Sequence, residues 1–558
     1  MYDRLTVYAR DLLGGFSPEL KKYVMEYKRD FRSFQEVSTK RELLSALQTA
    51  HIVVCGDYHT LSQAQRTVIR LLNESVAPLK RRNKKLILAL EMARTTDNPK
   101  IRQYLRGKLS ERAFLDAIQF HKNWGFPWRN YRRLFSFARE HSIEIIGINL
   151  ARKATLKRRD RFAARLLAEL TEADERAGIL VLVGDLHLAS SHLPGDLREA
   201  LGRRGIERQV LVIHQNRESY YWELVEKGLD HLVEVVKVRR GEYCVLNTPP
   251  WVKLKSHVRW TEFLADGEAS APQLGKKNGA PRGPSLGDLT DVDYTDEVRE
   301  LIGVIQDFIG LKGVPRDDFQ LYGPSNLAFL TRLRGTGWSK VELRRLGRML
   351  SDYQGLFIPG ENILYLSTLS LNQAAAQAAS YLHFKASRSN AFFREPNRDF
   401  YPVLWTEALS FLGSKIINPK RKCNGPRDLE RMLATATGAK GKSRLGEVRV
   451  LKMALRHLER ERALFSGKAA RFSGLTLPVR VESDRQFMRL RRLATVLGHL
   501  FGQGLYAAMV GNQIGREEVA ELFANPFGDA RKARRLYFDY AKRLDEGQFR
   551  DFVKSEGL

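Results

Sequence analysis

At 558 residues the chain is longer than one ordinary hydrophobic core spans, so two domains, or three, are expected. Hydrophobic residues make up 43% and charged residues 28%, a globular balance that excludes disorder along the whole length. The net charge of +29 sets up a field that attracts polyanions, but it is spread over local clusters such as Lys157-Arg158-Arg159 and Lys420-Arg421-Lys422 rather than held in one tail.

The opening stretch has its apolar residues interrupted by Asp3, Arg4, Arg10 and Asp11, which is not the pattern of a secretory leader. No run reaches the roughly 18 uninterrupted apolar residues of a membrane helix. The three cysteines, Cys55, Cys244 and Cys423, stand far apart with no metal-ligand spacing. Together these features set the expectation of a reduced, cytoplasmic protein without a transmembrane segment.

Residues 1–34 read as a helical extension. From there to residue 265, short apolar runs alternate with amphipathic stretches, the pattern of βαβ units and a mostly parallel sheet flanked by helices. The expected strands are His51–Cys55, Leu86–Leu90, Ile143–Ile148, Ile179–Val183 and Val210–Ile213, each short and apolar enough to be buried on both faces. A hairpin turning at Arg239-Arg240-Gly241-Glu242 closes this α/β domain. Residues 266–290, rich in Gly, Pro, Ala and Ser, read as a flexible linker. Residues 291–558 carry helical apolar spacing almost throughout, broken by one β-like segment around Pro359-Gly360. This second, basic domain is expected to be mainly α-helical, and its role is not legible.

Four expected strands end in polar groups: Gly56-Asp57-Tyr58-His59, Glu91, Asn149 and Gly184-Asp185-Leu186-His187. In an open parallel sheet, ligands bind beyond the carboxyl ends of the strands, so these groups should converge. Glycine permits a sharp turn and close backbone approach, and a histidine three residues on can fold back over the sheet edge. Two imidazoles and a carboxylate suffice for a divalent metal with open positions. They suffice equally for metal-free acid–base chemistry, with His as base and Glu orienting it. Each Gly-x-x-His taken singly is more simply a structural turn, with Asp57 or Asp185 capping the next helix. The two equivalent copies with Glu91 at a third strand end tip the balance towards a site. His121, His141, His192 and His214 are not required by any spacing, and His383 and His499 read as packed or surface residues of helices.

With these residues in place, the run VVCGDYHTLSQAQRTVIRLL followed by LILALEMARTTDNPK resembles the opening of ChaN-like haem-binding uptake domains of the Tiki superfamily. The resemblance rests on the Gly-x-x-His turn, on Leu90-Glu91-Met92 with Arg94 and Asn98-Pro99 after it, on the Trp124 to Tyr131 segment, on Asn149 and on VLVGDLHL with His187. It covers about residues 35–250. It implies haem or iron handling. Superfamily relatives implied by the same resemblance include metal-dependent proteases and erythromycin-esterase-like hydrolases that use the same His and Glu positions. Site residues carried over are His59, Glu91 and His187, as catalytic groups or metal ligands, with Arg94 and Asn149 beside them. Haem ligation in the family is attributed to tyrosines at a dimer interface. This makes a homodimer one expected assembly and Tyr58 a candidate by position, flanked by Gly56 and Gly184. The aromatic cluster Trp124, Trp128 and Tyr131 either walls a porphyrin pocket or is core, since its i, i+4, i+7 spacing suits one helix face.

Three functions follow. The first is a binding protein for haem or a divalent metal, the cofactor left undecided between them. The second is a metal-dependent hydrolase with Arg94 steadying an oxyanion. The third is a nucleic-acid-associated protein in which the basic second domain meets an anionic partner.

Overall fold

The computed structural model describes residues 6, 18–81, 85–150, 154–174, 176–230, 232–269, 295–324, 326–367, 370–389, 395–437, 444–468 and 481–546. The chain divides into two compact units, residues 1–283 and 284–556.

Unit 1 is built on an eight-stranded sheet. Its strands are β1 (Glu36–Ser38), β2 (Ile52–Asp57), β3 (Lys85–Arg94), β4 (Glu144–Asn149), β5 (Ala177–Gly184), β6 (Val210–Gln215), β7 (Val235–Arg239) and β8 (Glu242–Val245). The spatial order is β1-β7-β8-β6-β2-β5-β3-β4. Strands β8, β6, β2, β5, β3 and β4 run parallel to one another, whereas β7 pairs antiparallel with both β8 and β1. All five runs read as strands in the sequence are strands here, and so is the closing hairpin; β1, three residues long, is an addition.

The apolar runs are explained by burial on both faces. Along β2, Val53 and Cys55 join the core on one side of the sheet and Ile52 and Val54 the core on the other. In β5, Leu180 and Leu182 alternate in the same way with Ile179, Val181 and Val183. Burying each such side chain contributes about 1.5–3 kcal/mol, so strands of this kind are fixed in register by two cores at once.

Five helices of unit 1 matter for the site: α1 (Pro18–Asp30), α2 (Ser62–Arg81), α3 (Trp128–His141), α4 (Leu156–Ala173) and α5 (Pro250–Ala269). Helix α4 starts where the Thr155 hydroxyl accepts from the Arg158 amide, and α3 stops at Ser142 in the left-handed region. Helix α5 runs through Ala269, so the stretch read as linker, 266–290, begins inside a helix; its residues 270–290 lie outside the described residues.

Unit 2 is mainly helical, as its spacing predicts. A small sheet pairs β10 (Gly355–Ile358) antiparallel with β11 (Ile363–Leu366) about the Pro359 turn, and β9 (Gln320–Tyr322) runs parallel to β11. Helix α6 (Leu371–Ser387) packs on α7 (Phe400–Ile417), and α7 packs on α8 (Asp484–Val510). Helix α8 is long and apolar enough to cross a membrane, yet 67% of its most apolar window is buried inside the unit, as befits a core helix.

A histidine–carboxylate cluster at the strand ends

The parallel strands β2, β3, β4 and β5 deliver their carboxyl ends to one edge of the sheet, and a cleft of about 1660 Å³ opens there. Tyr58, His59, Glu91, Arg94, Asn149, Gly184 and His187 all line it. The convergence expected from the sequence is therefore present for these seven residues.

The floor is an ordered polar network. His59 Nδ1 lies 2.9 Å from Asp57 Oδ2, and the same oxygen accepts the Tyr131 hydroxyl at 2.7 Å. Gln65 donates to the other oxygen of Asp57 at 2.5 Å. A second chain of the same kind runs through His187. Its Nδ1 lies 2.5 Å from Asp160 Oδ1, and Tyr23 donates its hydroxyl to Asp160 Oδ2 at 3.0 Å. Two Tyr–Asp–His chains thus approach Glu91 from different sides. His187 Nε2 is 3.4 Å from Glu91 Oε1, and the Gly184 amide donates to Glu91 Oε2 at 2.7 Å.

The charges follow from this wiring. Burial alone would raise the Glu91 carboxyl, but the His187 and His59 rings and the Gly184 amide outweigh it and hold the pKa at about 2. Burial alone would lower His187, but Glu91 and Asp160 outweigh it and lift the pKa to about 10. His59 moves upward too: burial opposes the shift, and Asp57, Glu91 and Asp185 overcome it. At neutral pH the floor therefore holds a buried Glu91–His187 ion pair.

Glycine is needed at both turn positions, for different reasons. A Cβ on Gly184 would stand 3.2 Å from His59 Nε2 and 3.4 Å from Glu91 Oε2, inside the cluster. A Cβ on Gly56 would stand 2.5 Å from Asp185 Oδ1, so this glycine lets the 3₁₀ turn Asp185–Leu188 after β5 close over β2; it does not line the cleft.

Several expected roles change. Trp128 is buried in the core against Phe114, Phe120 and Phe135 and does not line the cleft. Trp124 precedes α3 instead of sharing its face, and it stands on the cleft wall 4.5 Å from the His59 ring. The Arg94 guanidinium is tied to Asp97 at 3.1 and 2.9 Å, which neutralises it as an oxyanion partner. Asn149 donates to the Glu91 carbonyl at 3.0 Å and accepts from the Leu150 amide at 2.8 Å, so its amide braces β3 against β4. The carboxylate that orients His59 is Asp57, while Glu91 pairs with His187.

The metal assignment of His59, Glu91 and His187 does not fit. Among the described residues no group of three or more His, Cys, Asp or Glu side chains is arranged to hold a metal ion. His187 is engaged by a carboxylate at each ring nitrogen and is cationic at neutral pH, and a protonated imidazole has no lone pair to donate.

Sequence reasoning missed Asp160, Tyr23, Lys253 and His257. Asp160 did leave a signal: it occupies the apolar stripe of α4 with Ala163, Ala164, Leu167 and Ala168, where an acid needs a buried partner. Lys253 and His257, on α5, carried none. Lys253 Nζ lies 2.9 Å from Asp185 Oδ2 and 4.5 Å from the Tyr58 ring centre, and His257 stands 5.9 Å from that ring.

Comparison with known proteins now bears on this geometry. Residues 43–183 match the family described as haem-binding uptake, Tiki superfamily, ChaN. A solved structure of ChaN of Campylobacter jejuni, described by its cofacial haem binding, matches at 13% identity over 32% of this chain and 87% of that chain, with a TM-score of 0.25. No curated protein matches the chain. The matched residues include His59, Glu91 and Asn149 and stop just before Gly184, so the likeness to this family lies within unit 1 and takes in most of the strands that build the cleft.

Proposed function

We propose that unit 1 binds haem in the cleft at the strand ends. The observation that carries this reading is the make-up of the cleft. At about 1660 Å³ it exceeds the roughly 300–1,000 Å³ of pockets for drug-sized ligands, which leaves room for a flat macrocycle. Trp124, Phe126 and Trp260 supply an aromatic wall, with Phe126 4.6 Å from His59 and 6.2 Å from Trp260 between ring centres. Lys28 and Arg32 stand exposed on the rim, where carboxylate side arms of a porphyrin would meet positive charge.

Bound haem would supply an iron centre. Two groups in the cleft suit it as donors, the Tyr58 hydroxyl and the His257 imidazole. Burial and the neighbouring His59 lower the His257 pKa, so its ring is neutral at pH 7 and keeps a lone pair. Burial and Asp185 push the Tyr58 phenol upward, so its phenolate is the costlier donor. The Glu91–His187 floor fixes the shape of the cleft and holds its protons on His187.

The test is titration of haemin into the full chain, followed by absorbance. A saturable, shifted Soret band at stoichiometric haemin is expected, and Trp124→Ala should weaken binding roughly two- to tenfold through lost aromatic contact. A spectrum that stays that of free haemin removes the reading.

A second reading, acid–base hydrolysis, has one observation in its favour. Asp57 holds His59 by Nδ1, leaving Nε2 beside Gly184 and Glu91 as a general base would be placed. It predicts ester or peptide turnover that His59→Asn abolishes while the circular dichroism of the protein is unchanged; turnover that survives this change rules it out.

A further inference from the structure

Unit 2 contains a small, partly open cavity of about 280 Å³ between α6, α7, α8 and β10, with the exposed Asp352 and Gln354 at its edge. Its lining includes Tyr353, Gln377, Glu407, Arg421, Arg491 and His499. Both carboxylates of the lining are already engaged by other cations. Arg491 is 6% exposed and donates to Glu407 at 3.2 Å, and Arg492 pairs with Asp352 at 2.7 Å. Arg421 is 9% exposed and donates one hydrogen bond to the Asn372 carbonyl at 3.1 Å, with its guanidinium 4.5 Å above the Phe411 ring. Among the described residues it has no acidic partner.

The neighbours do not make up the deficit. His499 is neutral, its pKa held near 3 by burial and by Arg421, and burial keeps the Cys423 thiol protonated. Arg491 Nε and the Tyr353 hydroxyl are buried without a hydrogen-bond partner among the described residues. A buried cation without a counter-charge is costly, and so is each buried polar atom left unpaired. An oxyanion in the cavity would answer all three groups at once: the guanidinium of Arg421, the Nε–H of Arg491 and the O–H of Tyr353.

We propose that the cavity of unit 2 is a binding site for a small oxyanion, a carboxylate or phosphate carried by a molecule of only a few heavy atoms, held by Arg421, Arg491 and Tyr353. The site is separate from the cleft of unit 1 and does not depend on haem. The volume, just under the roughly 300 Å³ lower limit for drug-sized ligands, restricts the class to small molecules.

The experiment uses the full chain in a chloride buffer at fixed ionic strength. Inorganic phosphate and succinate are titrated separately by calorimetry and by thermal unfolding, with sodium chloride as control. One saturable site for at least one probe is expected, and whichever binds more tightly identifies the anion type. Arg421→Met should weaken that binding at least about tenfold, the scale of a lost charge-assisted hydrogen bond, while raising the melting temperature without anion. Tyr353→Phe, which keeps the ring and its packing, should weaken binding several-fold and decides the matter if Arg421→Met does not fold. No response beyond chloride overturns the proposal. So does an equal response in the wild type and in Tyr353→Phe and Arg421→Met, which would mean an adventitious surface ion only.

Discussion

His187 lies between Asp160 and Glu91, and its value to the fold depends on keeping its proton. Its pKa is about 10 in the folded protein against 6.5 for a free histidine, so its contribution is complete below pH 6.5 and disappears as pH rises to about 10. Glu91 works in the opposite direction: at about 2 against 4.5, its contribution is complete above pH 4.5 and disappears as pH falls towards 2. Stability of unit 1, measured by chemical denaturation at a series of pH values, should therefore decline on both sides of neutrality. His187→Ala leaves two buried carboxylates facing each other and should cost about 3–5 kcal/mol at pH 7. It should also flatten the decline between pH 6.5 and 10; a variant that keeps the wild-type alkaline slope would show that His187 is not the group responsible. At this scale the sequence exposed His59, Glu91 and His187 because each follows a recognisable strand. It could not expose which carboxylate serves which histidine, since Asp160 joins His187 from a helix 27 residues away.

Among the elements, two glycines of α8 show how closely helices are drawn together in unit 2. A Cβ on Gly498 would come within 2.7 Å of Glu407 Cβ, and one on Gly502 within 2.4 Å of the Ala408 carbonyl oxygen. Gly502→Ala should therefore push α8 off α7 and cost about 1–3 kcal/mol of unit 2 stability, the range for overpacking a well-filled contact. Gly446 has nothing within 4 Å of an added Cβ, so Gly446→Ala serves as the control and should be neutral or stabilising. Equal effects of the two changes in thermal unfolding would contradict this packing. The βαβ strands and the long helices were legible because their apolar periods are strong. The aromatic segment was misleading for a physical reason: the spacing of Trp124, Trp128 and Tyr131 fits one helix face, but Pro127 precedes the first turn of α3 and leaves Trp124 outside it. Helix α5 contributes Lys253, His257 and Trp260 to the cleft, and nothing in its residue pattern ties them to strand ends more than 60 residues earlier in the chain.

For the molecule as a whole, the two units have separate cores and separate cavities, and the family match lies wholly within the first. Residues 1–283 expressed alone should thus fold with the helix–sheet circular dichroism of an α/β domain and bind haemin as the full chain does. Aggregation of this fragment, or loss of binding in it, would show that unit 2 completes the fold or the cleft. The net charge of +29 is a property of the entire chain, and it makes salt-dependent background binding of any anionic probe an expected complication, so affinities belong at fixed ionic strength. The most direct measurement is the absorbance spectrum of the haemin-saturated full chain, set beside that of the Tyr58→Phe, His257→Leu double variant at the same ionic strength. A shifted Soret band in the wild type that reverts towards free haemin in the variant is the predicted result. An identical band in both proteins would place haem elsewhere and contradict the assignment of the cleft.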